Sequence, residues 1–91
     1  MKVKQRNMNQ SDIDHLNESG MNGEFIAQNR IVLEFEDDEG HHGILYIEAN
    51  IVERLGLEYI AENTVLEYSK VCEEYFAKLS QNKYYNDPVR F

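Results

Sequence analysis

The clearest pattern in the chain is a period-two alternation between residues 31 and 48. In Ile31-Val32-Leu33-Glu34-Phe35-Glu36, the side chains of Ile31, Leu33 and Phe35 share one face, and the run is β-branched and aromatic. Ile44-Leu45-Tyr46-Ile47-Glu48 is a second run of the same kind. Between them Asp37-Asp38-Glu39-Gly40 has turn chemistry, with Gly40 free to take positive φ. The spacing predicts an antiparallel hairpin. Phe25-Ile26-Ala27, followed by Gln28-Asn29 as a tight turn, predicts a further short strand, so that residues 24–48 read as β-structure.

The period then changes. Asn50 is a candidate cap, and Ile51, Val52, Leu55 and Tyr59 fall at helical spacing, while Gly56 weakens the middle. This segment reads either as one helix over 50–61 or as a turn that breaks at Gly56. Thr64 and Glu67 form a T-x-x-E capping box, after which Val65, Tyr68, Cys72, Tyr75, Phe76 and Leu79 repeat at three-four spacing. The pattern predicts the main helix over 65–81, with Glu67, Lys70, Glu73, Glu74 and Lys78 on its opposite face. Upstream, Ser11-Asp12-Ile13-Asp14 resembles a capped helix start, and the turn or two that follows ends at Gly20.

Residues 1–10 are polar and aperiodic and read as a flexible tail. Residues 11–82 read as one compact domain, and residues 83–91, which contain Asp87-Pro88, as a C-terminal extension. The predicted fold class is α+β. A small antiparallel meander of two or three strands would pack against a long C-terminal amphipathic helix and one or two short helices.

Composition narrows the function classes. With 91 residues there is room for one core only, since a chain of this size buries roughly 60–68% of its unfolded surface. Apolar runs such as Ile31-Val32-Leu33 are far shorter than the roughly 18–20 residues of a membrane span. The basic start, Met1 to Asn7, lacks the apolar region of a secretory signal. A lone cysteine, Cys72, fits a reducing cytoplasm. The formal net charge is −8, and all of it falls within residues 31–91, which carry 13 acidic against 5 basic side chains. Such a surface repels phosphate backbones and anionic lipid, so no direct nucleic-acid or membrane binding is expected.

Candidate chemistry is sparse. Glu36-Asp37-Asp38-Glu39-Gly40-His41-His42 gathers carboxylates and imidazoles. However, adjacent histidines on a strand point to opposite faces, and the calcium-loop order of ligands is absent. Cys72 lies on the apolar stripe of the predicted helix beside Glu73 and Glu74, which predicts a buried thiol rather than a nucleophile. There is no phosphate loop, dinucleotide fingerprint or nucleophile elbow, and no cofactor is expected. The six tyrosines are many for this length, and tyrosine is enriched at interfaces. The helix stripe is also broad enough to suggest a homodimer.

These features predict a small acidic, non-enzymatic cytoplasmic protein that binds and regulates or inhibits a larger protein with a basic surface. In a sharper version it mimics nucleic acid against a nucleic-acid-handling enzyme. The residues expected to act are Glu36, Asp37, Asp38 and Glu39 at the hairpin tip, with Glu67, Glu73 and Glu74 on the helix. Two alternatives come from other classes. One is an assembly subunit acting through homodimerisation. The other is a small metal protein or enzyme using His15, His41 or His42 with nearby acids.

Overall fold

A computed structural model describes residues 1–79. In chain order the elements are β1 (Lys2–Asn7), α1 (Gln10–Glu18), α2 (Gly23–Ala27), β2 (Arg30–Glu36) and β3 (His42–Glu48). They are followed by α3 (Ala49–Leu55), α4 (Leu57–Glu62), β4 (Thr64–Ser69) and β5 (Glu74–Leu79). The protein is α+β, with a three-stranded antiparallel sheet in the order β1-β2-β3, a two-stranded antiparallel sheet β4-β5, and four short helices.

The hairpin expected from the alternation forms as β2 and β3, with Leu33 opposite Leu45 and Phe35 opposite Gly43. The turn is held by Asp37, and Gly40 takes φ +85°. Residues 2–7, read from sequence as tail, are the edge strand: Lys2 pairs Glu36 and Asn7 pairs Ile31. This strand escapes a hydrophobicity pattern because only Val3 points to the core. Its exposed positions are Lys2, Lys4, Gln5 and Asn7, and the two lysines discourage further pairing at a sheet edge.

The long C-terminal helix is not formed. Residues 64–79 make the β4–β5 hairpin instead, with Thr64 opposite Leu79, Leu66 opposite Ala77 and Tyr68 opposite Tyr75. The segment contains both periods. Helical spacing joins Val65, Tyr68, Cys72 and Phe76, while alternation joins Thr64, Leu66 and Tyr68 to Tyr75, Ala77 and Leu79. Tertiary packing selects the second set, since Ala77 and Leu79 are buried. Thr64 does not cap a following helix; its hydroxyl donates backwards to the Ile60 carbonyl at 2.6 Å. The broad apolar helix stripe that suggested a homodimer is therefore absent. The extension at 83–91 and the last part of the expected helix lie outside the described residues.

Two other segments depart from expectation. Residues 23–27 form α2, capped by the Asn22 side chain on the Phe25 N–H, rather than a strand. The capping box at α1 uses Asn9 and Asp12, two residues upstream of Ser11 and Asp14. The 50–61 segment breaks at Gly56 into α3 and α4.

The core lies on one face of the three-stranded sheet. Leu33, Phe35 and Ile47 pack against Ile51 and Val52 of α3, Ile60 of α4, and Ala77 and Leu79 of β5. At Gly43 a Cβ would stand 2.8 Å from the Ala77 backbone nitrogen, so the missing side chain is what lets β5 cross β3 this closely. The other face is covered at one end by α1, with Val32 buried beneath, and is open at its Lys2–Glu36–His42 end.

Candidate functional site

The seven carboxylates singled out from sequence fall into two groups on two hairpins. Glu36, Asp37, Asp38 and Glu39 sit at the β2–β3 turn; Glu67, Glu73 and Glu74 sit on β4, the following turn and β5. Asp37 is not free to bind a partner. Its Oδ1 accepts from the backbone N–H groups of Glu39 at 2.9 Å and His41 at 2.8 Å, and Oδ2 lies 2.8 Å from His41 Nδ1. Desolvation pushes the Asp37 carboxyl up, but the hydrogen bonds from His41 and Glu39 outweigh it and hold the pKa below the ordinary value. Asp38, Glu39, Glu67, Glu73 and Glu74 are exposed, and Glu36 is half-buried.

An aromatic contact joins the two groups. The His41 ring stacks on Tyr75 with centroids 4.1 Å apart, and Tyr75 meets Tyr68 at 5.5 Å in a tilted arrangement. His42 points to the other side of the strand, is exposed, and approaches Glu36 at 3.8 Å. The two histidines thus serve separate surroundings.

The second hairpin also exposes apolar side chains. Val65 is 47%, Tyr68 54%, Val71 95% and Phe76 39% exposed. Register places Val65, Glu67, Phe76 and Glu74 on one face of the hairpin, and Tyr68 with Tyr75 on the other. Cys72, expected in the core, is an exposed free thiol in the turn between the strands. Glu73, in the same turn, holds φ 52°, a left-handed conformation that favours glycine or asparagine.

Sequence reasoning missed a polar cluster at the foot of α1. Arg6 makes a bidentate pair with Asp12 through Nη1 at 2.7 Å and Nη2 at 3.0 Å, and its Nε donates to Glu34 at 3.0 Å. Asp12 is buried, also accepts the Asn9 N–H at 2.8 Å, and receives the Tyr46 hydroxyl at 3.3 Å. The Arg6 hydrogen bond holds the Asp12 carboxyl below its usual range against the upward push of burial, and the same pairing raises Arg6 further. Burial, and then the Asp12 charge, push the Tyr46 phenol up. One signal was available: Asn9-x-x-Asp12 is itself a capping-box spacing.

Beside this cluster a cleft of about 410 Å³ opens between α1, β3 and β5. Its floor is Ile44 and Tyr46, one wall carries His15, and the other carries Glu74, Tyr75 and Phe76. A larger cavity of about 600 Å³ lies at the opposite end of the sheet around Asn7, Asn29, Glu48 and Asn50. It holds none of the predicted residues, and the smaller cleft is the one that joins both hairpins. Among the described residues no three His, Cys, Asp or Glu side chains converge as metal ligands. No helix among them is long and apolar enough to cross a membrane. Comparison with protein-family models, with curated proteins and with solved structures finds no match for this chain.

Proposed function

We propose that the protein is a non-enzymatic binding module that regulates or inhibits a larger protein through the β4–β5 hairpin. One observation carries the reading: Val65, Tyr68, Val71 and Phe76 are exposed on the same hairpin as Glu67, Glu73 and Glu74. Aromatic and aliphatic side chains supply the desolvated centre of an interface, and a charged rim sets partner choice and association rate. The partner surface is basic, in keeping with the net charge of −8. The exposed carboxylates of Asp38 and Glu39 extend the rim across the His41–Tyr75 stack. In the narrower form of this reading the partner handles nucleic acid, and the carboxylates occupy a groove built for phosphates. A cytoplasmic setting belongs to the same reading, since the exposed Cys72 thiol stays reduced there.

The test compares affinity capture by the wild-type protein with capture by a Glu67→Lys/Glu73→Lys/Glu74→Lys variant. Proteins retained by the wild type, identified by mass spectrometry, are expected to be lost from the variant while its thermal unfolding is unchanged. Equal capture by both sinks the reading.

A further inference from the structure

We propose that the cleft between α1, β3 and β5 receives an arginine side chain of the protein partner. This rests on the binding-module reading above and names the chemistry that its surface recognises. The cleft, about 410 Å³ in volume, lies near the small end of the roughly 300–1,000 Å³ range of ligand sites, which suits one long side chain better than a folded segment.

Three features select the occupant. Ile44 and Phe76, 42% and 39% exposed, give apolar surface for a methylene stem. Tyr46 and Phe76 offer aromatic rings on which a planar guanidinium stacks better than an ammonium does. Glu74 is an exposed carboxylate at the cleft wall with no ion pair or hydrogen bond among the described residues.

The charge balance points the same way. The cationic group at the base, Arg6, has its Nε and both terminal nitrogens directed at Glu34 and Asp12, so it does not make the cleft a site for anions. With Arg6 shared between Asp12 and Glu34, the Glu74 carboxylate leaves the cleft acidic, which complements a cation. A guanidinium there exchanges water for a carboxylate and an aromatic face at once.

The probe is N-acetyl-arginine methylamide, titrated into the full chain and followed by amide chemical shifts, with the matched lysine and glutamate compounds alongside. Saturable shifts clustered at residues 42–46 and 74–76 are expected with arginine. The lysine compound should bind more weakly and the glutamate compound not at all. Glu74→Gln should weaken arginine binding about fivefold, which corresponds to the upper end of a solvent-accessible ion pair. The proposal is overturned by shifts that do not saturate, by equal binding of lysine or glutamate, or by an unchanged affinity in Glu74→Gln. These outcomes are distinguishable from a failure of the wider reading. If the triple lysine variant loses its partners while capped arginine fails to bind, the module stands and the cleft assignment falls.

Discussion

Asp12 is a buried carboxylate that ties the first helix to the sheet. It closes the capping box of α1, pairs with Arg6 of β1 and accepts from Tyr46 of β3, so one buried carboxylate fastens a helix to two strands. Replacing it with Asn keeps the shape but leaves the Arg6 guanidinium facing a neutral amide. The expected cost is about 2–3 kcal/mol, below that of a fully enclosed pair because the Arg6 side chain retains access to water. The pH dependence has a defined sign. Folding lowers the Asp12 pKa below its ordinary 3.8, so the stabilisation is complete above that value and is lost as pH falls through the lower folded-state value. Urea unfolding from neutral pH downwards should therefore show the wild type losing stability steeply below about pH 4, and Asp12→Asn losing less. Asp37 titrates in the same direction and remains in both proteins.

At the scale of elements, what could be read from sequence was decided by how local the determinants are. The β2–β3 hairpin was legible because Ile31, Leu33 and Phe35 alternate with Val32, Glu34 and Glu36 on the opposite face and Asp37 to Gly40 holds turn residues. The 64–79 segment was not, because its helix-like and strand-like patterns share the same residues, and the deciding contact is with Gly43, more than twenty positions earlier. The Arg6–Asp12–Glu34–Tyr46 cluster joins four elements, and its bonds to Glu34 and Tyr46 span 28 and 34 positions, which no periodicity encodes. Of the acidic site, the turn and hairpin positions were legible as exposed charge, but not that Asp37 spends its oxygens on its own turn. The Gly43 contact gives the element-scale prediction. Gly43→Ala should destabilise the protein by about 1–3 kcal/mol, as overpacking does. Amide hydrogen exchange should accelerate most in β4 and β5, because the added methyl presses on Ala77 and Leu66.

At the scale of the whole molecule, the net charge of −8 acts on folding and on binding with opposite signs. Salt screens repulsion among the carboxylates, which favours the compact state, and screens attraction to a basic partner, which disfavours the complex. Raising NaCl from about 0.01 M to about 0.15 M shortens the screening length from about 30 Å to about 8 Å. The midpoint of urea unfolding should rise over that range. The triple lysine variant provides the control: three reversals of two units each bring the charge from −8 to −2, and its midpoint should respond less. Equal responses in the two proteins would show that the repulsion is too dispersed to matter.

The two patterns written into residues 64–79 also bear on how the chain reaches its native state. Before β5 has met Gly43, only the pairing of β4 with β5 rewards alternation, whereas the Thr64–Glu67 box and the three-four spacing reward a local helix within the time of helix–coil exchange. A helix formed there early would have to dissolve before the pairing of higher contact order is complete. The hairpin that carries the exposed aromatic and acidic side chains is thus expected to form late, once the three-stranded sheet has given β5 a surface to cross, and amide protection during refolding should then appear in β2 and β3 before β4 and β5.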